Sequence, residues 1–376
     1  MSDNEPIPPN SVNMTEREMD YVAKAIKSGL VSGTGGEFIG RFEQKCAEFC
    51  GTRYGVACSS GTTALQLAVR AAGIGPGDEV ILGTFTNIPT ALSVIYNGAK
   101  PVLVDSRRDT WCTDEAAIAD KITSRTKAIM PIHIYGHPAK MDTIMALAKE
   151  HNLTVIEDAA EAYGATFEGR RIGGIGQMAC LSFLGGKVIT SAEGGMVMTS
   201  SEQLADKMRS LRSHAFGTGV NRYMHVDTGF NFRLSNLQAA MGLAQAERAE
   251  ELIELRRTIA SWYTSELKGV PGITLPVEMP WAKNVYYVYG VLFNEAFGMS
   301  RNEVYDELGK MGIGTGPFFV PMHMQHVFHK MGLFKGESYP VSEYLAEHGL
   351  CLPSGTLLTK EKVRRVCDAL KEFSRK

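Results

Sequence analysis

The sequence has no marked excess of charge of either sign. It contains 39 Lys and Arg against 41 Asp and Glu, a formal net charge of −2 over 376 residues. Proteins that bind nucleic acid or anionic membranes usually present an extended basic surface, because phosphate dominates those contacts. We therefore expect neither partner, although a local basic spot could still hold a single phosphate.

Long apolar runs are also missing. No unbroken run reaches the roughly 20 residues that a membrane-spanning helix needs. The opening residues MSDNEPIPPN are polar and acidic and carry no apolar segment typical of a secretory signal. We expect a cytoplasmic protein whose proline-containing start, about a dozen residues, forms a loosely held arm.

Patterns that bind metals are sparse. The seven cysteines are an odd number scattered along the chain, which favours free thiols over a disulfide framework. Cys46 and Cys50 could share one helix face, but no further zinc ligand lies nearby. His323, His326 and His329 recur every three residues, a spacing that drifts around a helix. We predict no metal site.

Strand-like apolar runs alternate with helical patterns from about residue 53 to about residue 200. The runs are YGVAC, EVILG, KPVLVD, KAIMPIH and LTVIED. Strands without polar alternation, separated by helices, indicate a mostly parallel sheet covered on both faces. Ligands bind in the loops that follow the carboxyl ends of such strands.

The pattern changes near residue 233. Residues 233–267 predict one long helix or two joined helices, because they contain few helix breakers. The strand-like VYYVYGVLF and the amphipathic final segment KEKVRRVCDALKEF follow. We predict a large ligand-binding domain over residues 1–250, which includes the arm, and a smaller C-terminal α/β domain over residues 251–376.

Three short segments carry candidate chemistry, and the first is SSGTTAL at residues 59–65. It follows a strand and opens a helix. Free N–H groups at a helix start can bind an anion such as phosphate, and the hydroxyls of Thr62 and Thr63 add donors. The alternative is an ordinary capped helix start with no ligand.

The second segment is VIEDAAEA at residues 155–162, where Asp158 ends a buried strand. A carboxylate in this place would suit a protonated ring nitrogen, because a nearby negative charge favours the protonated form. The alternative is a helix N-cap, since Asp158 with Glu161 three residues later resembles a capping box.

The third segment is SFLGGKVITSAEGG at residues 182–195, with Lys187 among glycines and hydroxyl residues. The glycines allow close backbone approach. A lysine in a partly desolvated pocket has a lowered pKa and acts as a nucleophile or base. Ser182 could add a phosphate donor. A phosphate cradle, a carboxylate and a reactive lysine are together the parts that hold pyridoxal phosphate (PLP).

With these segments in this order, the chain resembles the fold-type I PLP enzymes and, more narrowly, the nucleotide-sugar aminotransferases of the DegT/DnrJ/EryC1/StrS family. The resemblance runs from about residue 30 to 250 and is weaker to the end. Its further stretches include GIGPGDEVI, NGAKPVLVD, KAIMPIHIYGHPAKMD, AEGGMV and TGFNFRLSNLQAAMGLAQ. Three features are most similar to the GDP-perosamine synthases of that family. They are Glu161 in the segment EDAAEA, the segment PFFVPMH and the segment WAKNVYYVY.

The resemblance implies an α/β fold with a mostly parallel, seven-stranded type of sheet flanked by helices, and it implies the site residues. Lys187 would bond the cofactor and move the substrate proton, and Asp158 would pair with the pyridinium nitrogen. The other implied cofactor residues are Gly61, Thr62, Asn87, Glu161, Ser182 and Asn231, and the implied substrate residues are Phe319 and His323. Asn231 would reach the phosphate bound in the other subunit of a homodimer with shared sites. Residues 32–38 would be an active-site loop.

Two positions depart from the family pattern. Asn87 stands where relatives carry an aromatic side chain that stacks on the cofactor ring, and an amide cannot stack in that way. Phe85 lies two residues earlier, but its direction is open. Ala192 stands where glycine is usual. We expect this second departure to be minor.

The implied reaction is transfer of the amino group of L-glutamate to a 4-keto-6-deoxy nucleotide sugar, from GDP-4-keto-6-deoxymannose to GDP-perosamine. Related enzymes that dehydrate the sugar have histidine at the lysine position, so Lys187 favours amination. One alternative is a UDP- or dTDP-linked keto sugar, aminated at C3 or C4. Another is a PLP-binding regulatory protein without transaminase activity.

Overall fold

The computed structural model describes residues 5–375, so the first four residues of the predicted arm lie outside the described range. The α-helices of that range are α1 (Glu16–Lys27), α2 (Glu37–Cys50), α3 (Gly61–Ala71), α4 (Pro89–Tyr96), α5 (Met141–Glu150), α6 (Glu202–Leu211), α7 (Asn236–Ala246), α8 (Ala249–Leu267), α9 (Arg301–Lys310), α10 (His326–Lys330), α11 (Pro340–His348) and α12 (Lys360–Phe373). Among these helices none is both long and apolar enough to cross a membrane.

The strands of the described range form three sheets. They are β1 (Tyr54–Cys58), β2 (Glu79–Gly83), β3 (Lys100–Val104), β4 (Thr126–Met130), β5 (Thr154–Asp158), β6 (Thr166–Phe167), β7 (Arg170–Arg171), β8 (Met178–Ser182), β9 (Gly195–Thr199), β10 (Ile273–Thr274), β11 (Ala282–Lys283), β12 (Tyr289–Phe293), β13 (Gly316–Pro317) and β14 (Gly349–Leu352). A short sheet of order β11-β6-β7 lies apart from the two larger ones.

The largest sheet has seven strands in the order β1-β9-β8-β5-β4-β2-β3. Only β9 runs antiparallel to its neighbours, and the other neighbouring pairs are parallel. The strands are almost entirely buried, as expected for a sheet covered by helices on both faces. The predicted mostly parallel α/β architecture is therefore confirmed.

The small unit, residues 268–375, contains a four-stranded sheet of order β10-β12-β14-β13 and a hydrophobic core of its own. Helix α12 packs against α8 through buried Val363, Val366 and Leu370. Helix α8 serves both cores, because Ile253 belongs to the first and Tyr263 to the second. The long helical stretch is two joined helices, α7 and α8, and the domain boundary near residue 250 stays a prediction.

The predicted loose arm is wrong for residues 7–10. Ile7 is 1% exposed in the core of the small unit, and its N–H donates to the carbonyl of Gly312 at 2.8 Å. The carbonyl of Pro9 accepts from the N–H of Ser354 at 3.0 Å. The segment is fixed because an apolar side chain and its backbone groups find partners more than 300 positions away, which composition does not reveal.

Candidate active site

A cavity of about 310 Å³ opens where the carboxyl ends of β1, β2, β4, β5 and β8 meet residues of the small unit. Eight of the ten predicted site residues line it, namely Gly61, Thr62, Asn87, Asp158, Glu161, Ser182, Lys187 and Phe319. Sequence reasoning missed several others in the wall, among them Thr90, His133, Tyr135, Tyr287 and Cys351. The three segments that were singled out in the sequence therefore converge on one space.

The start of α3 forms one wall of the cavity. Ser60 caps the helix: its hydroxyl accepts from the N–H of Thr63, whose hydroxyl accepts from the N–H of Ser60 at 3.0 Å. Within residues 5–375 no acceptor takes the N–H groups of Gly61 and Thr62. The start of α3 is thus capped and still offers two free N–H donors. The capped helix start and the possible anion site, which the sequence posed as alternatives, are therefore compatible.

Glycine is required at position 61 by the closeness of Ser182. A Cβ atom on Gly61 would lie 2.8 Å from the Cβ of Ser182, a distance that carbon atoms do not tolerate without a shift. The end of β8 therefore lies directly against the helix start. Free N–H groups and the Ser182 hydroxyl at a helix N-terminus suit a phosphate group.

Asp158 ends β5 and is 5% exposed. Its carboxylate accepts from the hydroxyl of Thr90 at 2.7 Å and from the N–H of Ala160 at 3.2 Å. No helix follows in residues 159–165, so the capping-box alternative is wrong. Burial raises the pKa of Asp158, and the bonds from Thr90 and Ala160 offset it only in part. A cationic ring nitrogen is a partner that this carboxylate would favour.

Glu157, the preceding residue, points away from the cavity. Its buried carboxylate accepts from the N–H groups of Gly173, Ile175 and Gly176 at 3.1, 2.9 and 2.7 Å and from His133 at 3.2 Å. Burial alone would raise the pKa of Glu157, but the bonds from His133 and the backbone outweigh it and hold the pKa below its ordinary value. Glu157 therefore anchors the turn at residues 173–176.

Lys187 presents its amine to the cavity between a carboxylate and an aromatic ring. Its Nζ atom lies 3.5 Å from Oε1 of Glu161 and 4.2 Å from the ring centroid of Tyr287. Burial lowers the pKa of Lys187, as the sequence predicted, but the charge on Glu161, with smaller effects of Tyr287 and Asp158, outweighs it and raises the pKa above its ordinary value. The expected net depression is wrong because the sequence did not pair Lys187 with Glu161.

Glu161 is held by a strained residue. Tyr135 has φ +53°, a left-handed conformation that is uncommon for a side chain of this size. Its N–H donates to Oε2 of Glu161 at 2.9 Å. Strain of this kind persists only where surrounding contacts enforce it, and here the ring of Tyr135 packs against Phe318 and Phe319.

Phe85 belongs to the same aromatic cluster and is 1% exposed. It does not line the cavity, so it does not replace the missing aromatic side chain at position 87. Asn87 itself lines the cavity and is exposed. The aromatic side chains that line the cavity are instead those of His133, Tyr135, Tyr287 and Phe319.

His323 lies outside the cavity wall and is 4% exposed. Its Nδ1 is 2.9 Å from the hydroxyl of Thr84, and its Nε2 is 3.0 Å from a carboxylate oxygen of Glu343. Both ring nitrogens are thus occupied within the chain, which leaves none for a sugar. In residues 5–375 no group of three or more His, Cys, Asp or Glu could hold a metal ion.

Two further predicted elements lie away from the cavity of their own chain. Asn231 is exposed and forms a bridge with Ser213. Its expected contact lies across a subunit boundary and stays a prediction. Residues 32–38 pack against Asn236 at the start of α7, where the amide of Asn236 accepts from the N–H of Phe38 at 3.1 Å.

The site fits PLP by the chemistry of its residues. Free N–H groups at the start of α3 suit a phosphate, and the buried carboxylate of Asp158, which faces the cavity, suits a protonated ring nitrogen. Lys187 supplies a primary amine to the same cavity. Tyr287 lies in WAKNVYYVY, a stretch that resembles the family, and this resemblance is the sequence signal that pointed near it, although it assigned no role to an individual residue.

Comparisons with known proteins agree with this chemistry. Residues 12–371 match the DegT/DnrJ/EryC1/StrS aminotransferase family. The chain is 42% identical to a GDP-perosamine synthase of Caulobacter vibrioides over 94% of each chain. It is 38% identical to a GDP-perosamine synthase of Escherichia coli O157:H7 over 98% of each chain. The crystal structure of S. venezuelae DesV in complex with a ketimine intermediate superposes with a TM-score of 0.89 at 36% identity, covering 96% of this chain and 95% of that one.

Proposed function

Because the chain belongs to the DegT/DnrJ/EryC1/StrS family and is a PLP-dependent sugar aminotransferase, we propose that it transfers the amino group of L-glutamate to GDP-4-keto-6-deoxymannose to form GDP-perosamine. The placement of the Lys187 amine beside Glu161 and Asp158 in the cavity carries the chemistry. The similarity to two GDP-perosamine synthases supports the substrate.

The proposed roles follow from position. Lys187 holds the cofactor through its amine, Asp158 keeps the ring nitrogen protonated, and Gly61, Thr62 and Ser182 hold the phosphate. When bound, PLP supplies an electron sink that stabilises negative charge at the carbon that loses its proton. The side chains of Lys187 and Glu161 are only 11% and 10% exposed and Asp158 is 5% exposed, which strengthens the electrostatic interactions among them.

Proton transfer is the task of Lys187 in this proposal. Its Nζ, once free, would take the proton from the nitrogen-bearing carbon of the donor and deliver it to the cofactor within the same half-reaction, and in the second half-reaction it would carry a proton the other way, to the sugar carbon that receives the nitrogen. Glu161 at 3.5 Å stabilises the ammonium form after the proton is taken. Tyr135 keeps Glu161 in that position through its main-chain N–H. Partly buried Phe319 offers an apolar wall for the methyl group of a 6-deoxy sugar.

The test is the visible absorption spectrum of the purified protein with PLP, before and after L-glutamate. Loss of the cofactor band on adding glutamate, and its return on adding GDP-4-keto-6-deoxymannose, is the expected result. Lys187→Ala is the control and should show neither change. Return of the band only with a UDP- or dTDP-linked keto sugar would overturn the proposed substrate. A band that no amino donor changes would overturn the proposed reaction and favour a regulatory role.

A homodimer with shared sites is part of the same proposal. Apolar side chains in the segment that leads to Asn231 are strongly exposed in the single chain, with Tyr223 at 79% and Met224 at 72%. Lys187→Ala and Asn231→Ala variants should each be inactive. Their mixture should recover activity, because a hybrid dimer contains one site with both residues intact. Recovery is measured after mixing and refolding, and its absence at confirmed hybrid formation would contradict shared sites.

A further inference from the structure

Two adjacent arginines of α8 have opposite surroundings. Arg257 is 25% exposed and pairs with the carboxylate of Glu278 at 2.5 Å. Arg256 is 3% exposed and has no carboxylate partner within residues 5–375. Burial lowers the pKa of the Arg256 guanidinium to about 10. Burying a charge without a counter-ion costs free energy, so we expect Arg256 to have a role that offsets this cost.

Arg256 donates hydrogen bonds to four backbone carbonyls from three separate segments. Nη2 donates to the carbonyls of Gly186 and Lys187 at 2.9 and 3.0 Å. Nη1 donates to the carbonyls of Tyr287 and Ser354 at 2.8 and 3.1 Å. The guanidinium therefore ties the main chain of the reactive lysine to two segments of the small unit. Carbonyl dipoles take the place of a counter-ion.

The same contacts reach the lysine amine from its other side. The ring of Tyr287, whose carbonyl Arg256 holds, lies 4.2 Å from Nζ of Lys187. The N–H of Tyr287 donates to the carbonyl of Tyr135 at 2.9 Å, and Tyr135 in turn holds Glu161. Tyr287 is thus connected to Arg256 through one hydrogen bond, and Glu161 through three.

We propose that Arg256 is a positioning residue for Lys187. Arg256 clamps the main chain of the lysine to the small unit. The position of the amine therefore depends on how the two units dock. The proposal rests on the role of Lys187 in the proposed function. Arginine suits the task because its planar fork presents several donors in fixed directions at once. A lysine at position 256 could satisfy at most three of the four carbonyls.

The experiment measures the reactivity of the Lys187 amine in the full-length chain without added cofactor. Limiting acetic anhydride labels all lysines competitively, and mass spectrometry compares the peptide of Lys187 with that of exposed Lys335. In Arg256→Met we expect the Lys187 to Lys335 ratio to rise on the order of tenfold, because losing hydrogen bonds to a charged group shifts a local opening equilibrium by that factor. Arg256→Lys should give an intermediate ratio.

Two controls separate positioning from general stability. Arg257→Met changes the same residue type one position along α8 and should leave the ratio unchanged. Val366→Ala removes apolar volume from the core of the small unit, where Val366 is fully buried. It should lower the melting temperature without changing the ratio. A change of the ratio in Val366→Ala equal to that in Arg256→Met would overturn the proposal.

The PLP-loaded enzyme gives a second readout. Arg256→Met should lower kcat while the KM for the nucleotide sugar stays close to the wild-type value, and Arg256→Lys should restore part of kcat. If Arg256→Met does not fold, the test rests on Arg256→Lys alone. A labelling ratio of Lys187 to Lys335 equal to that of the wild type in Arg256→Lys would then contradict the proposal. The labelling needs no turnover, so failure of the proposed reaction in the wild type remains distinguishable from failure of this proposal.

Discussion

Glu157 and Asp158 are adjacent on β5, yet the two sides of this strand have opposite surroundings. The carboxylate of Glu157 accepts four hydrogen bonds and anchors a turn. The carboxylate of Asp158 accepts two and lines the cavity. A buried polar group whose partners enclose it on all sides is structural, whereas one that faces a cavity can accept a further partner there. We therefore expect Glu157 to contribute to the stability of the fold and Asp158 to contribute to the activity.

Removing the charge of Asp158 should have the largest effect on activity. We expect Asp158→Asn to lower kcat on the order of 10²- to 10³-fold, a typical loss when one electrostatic group at the reacting centre is removed. The melting temperature should not fall, because the amide is not penalised by burial as the carboxylate is. Steady-state kinetics and thermal unfolding test both expectations. Near wild-type turnover would refute the assignment of Asp158 to the cofactor.

The matched change at Glu157 should have the reverse effect. We expect Glu157→Gln to lower the free energy of unfolding by about 3 kcal/mol, since removing one partner of a buried charged network is strongly destabilising. Turnover per folded molecule should stay close to the wild-type value. Urea unfolding and active-site titration measure the two quantities. A stable but inactive variant would mean that Glu157 takes part in the chemistry.

The pH dependence of stability should sharpen the comparison. The folded pKa of Glu157 is below its ordinary value, so its contribution is present above the unfolded pKa and is lost as pH falls through the folded pKa. The stability difference between wild type and Glu157→Gln should therefore narrow on acidification. The folded pKa of Asp158 is raised, so the wild type should lose stability relative to Asp158→Asn as pH rises through it. Unfolding at several acidic pH values tests both signs.

His323 extends the comparison to a second residue whose partners all lie within the chain. We expect His323→Gln to cost about 1–3 kcal/mol of stability, because it leaves Thr84 or Glu343 without a buried partner. The KM for the nucleotide sugar should not change. A raised KM with unchanged stability would instead support the sequence prediction of a sugar contact.

The smallest expected effect is at Ala192, which has φ +68°. Ala192→Gly should raise the free energy of unfolding by about 0.5–1 kcal/mol, since glycine adopts this left-handed conformation without the steric cost of Cβ. Activity should stay unchanged, as the sequence expectation of a minor departure requires. Thermal unfolding and kcat provide the check, and a loss of activity would show that Ala192 helps to place Lys187.

Local pattern predicted much of the fold. The predicted strands YGVAC and EVILG coincide with β1 and β2, and the break between α7 and α8 matches one of the two options for residues 233–267. Apolar runs and turn residues act on near neighbours, which is why they are legible in one dimension. Lys187 and Asp158 were singled out because their segments carry distinctive residue types, and both line the cavity, while their roles stay predictions.

Contacts between distant residues account for the errors. His323 was predicted to touch the sugar, but its ring is taken up by Thr84, 239 positions away. The arm was predicted to be loose, but Ile7 lies in the core of the small unit. Tyr287 was not assigned to the lysine, because nothing near it in the chain indicates that its ring lies over the amine.

The sequence by itself determined strands such as β1 and β2 and singled out Lys187 and Asp158 as candidates, because each depends on residues within a few positions of one another. The tertiary structure alone decided which of two adjacent carboxylates faces the cavity. It also decided that Glu161 raises the pKa of Lys187 and that Arg256 holds the lysine main chain across 69 positions. Burial and pairing are properties of the packed chain, because partners far apart in sequence meet only when the chain folds.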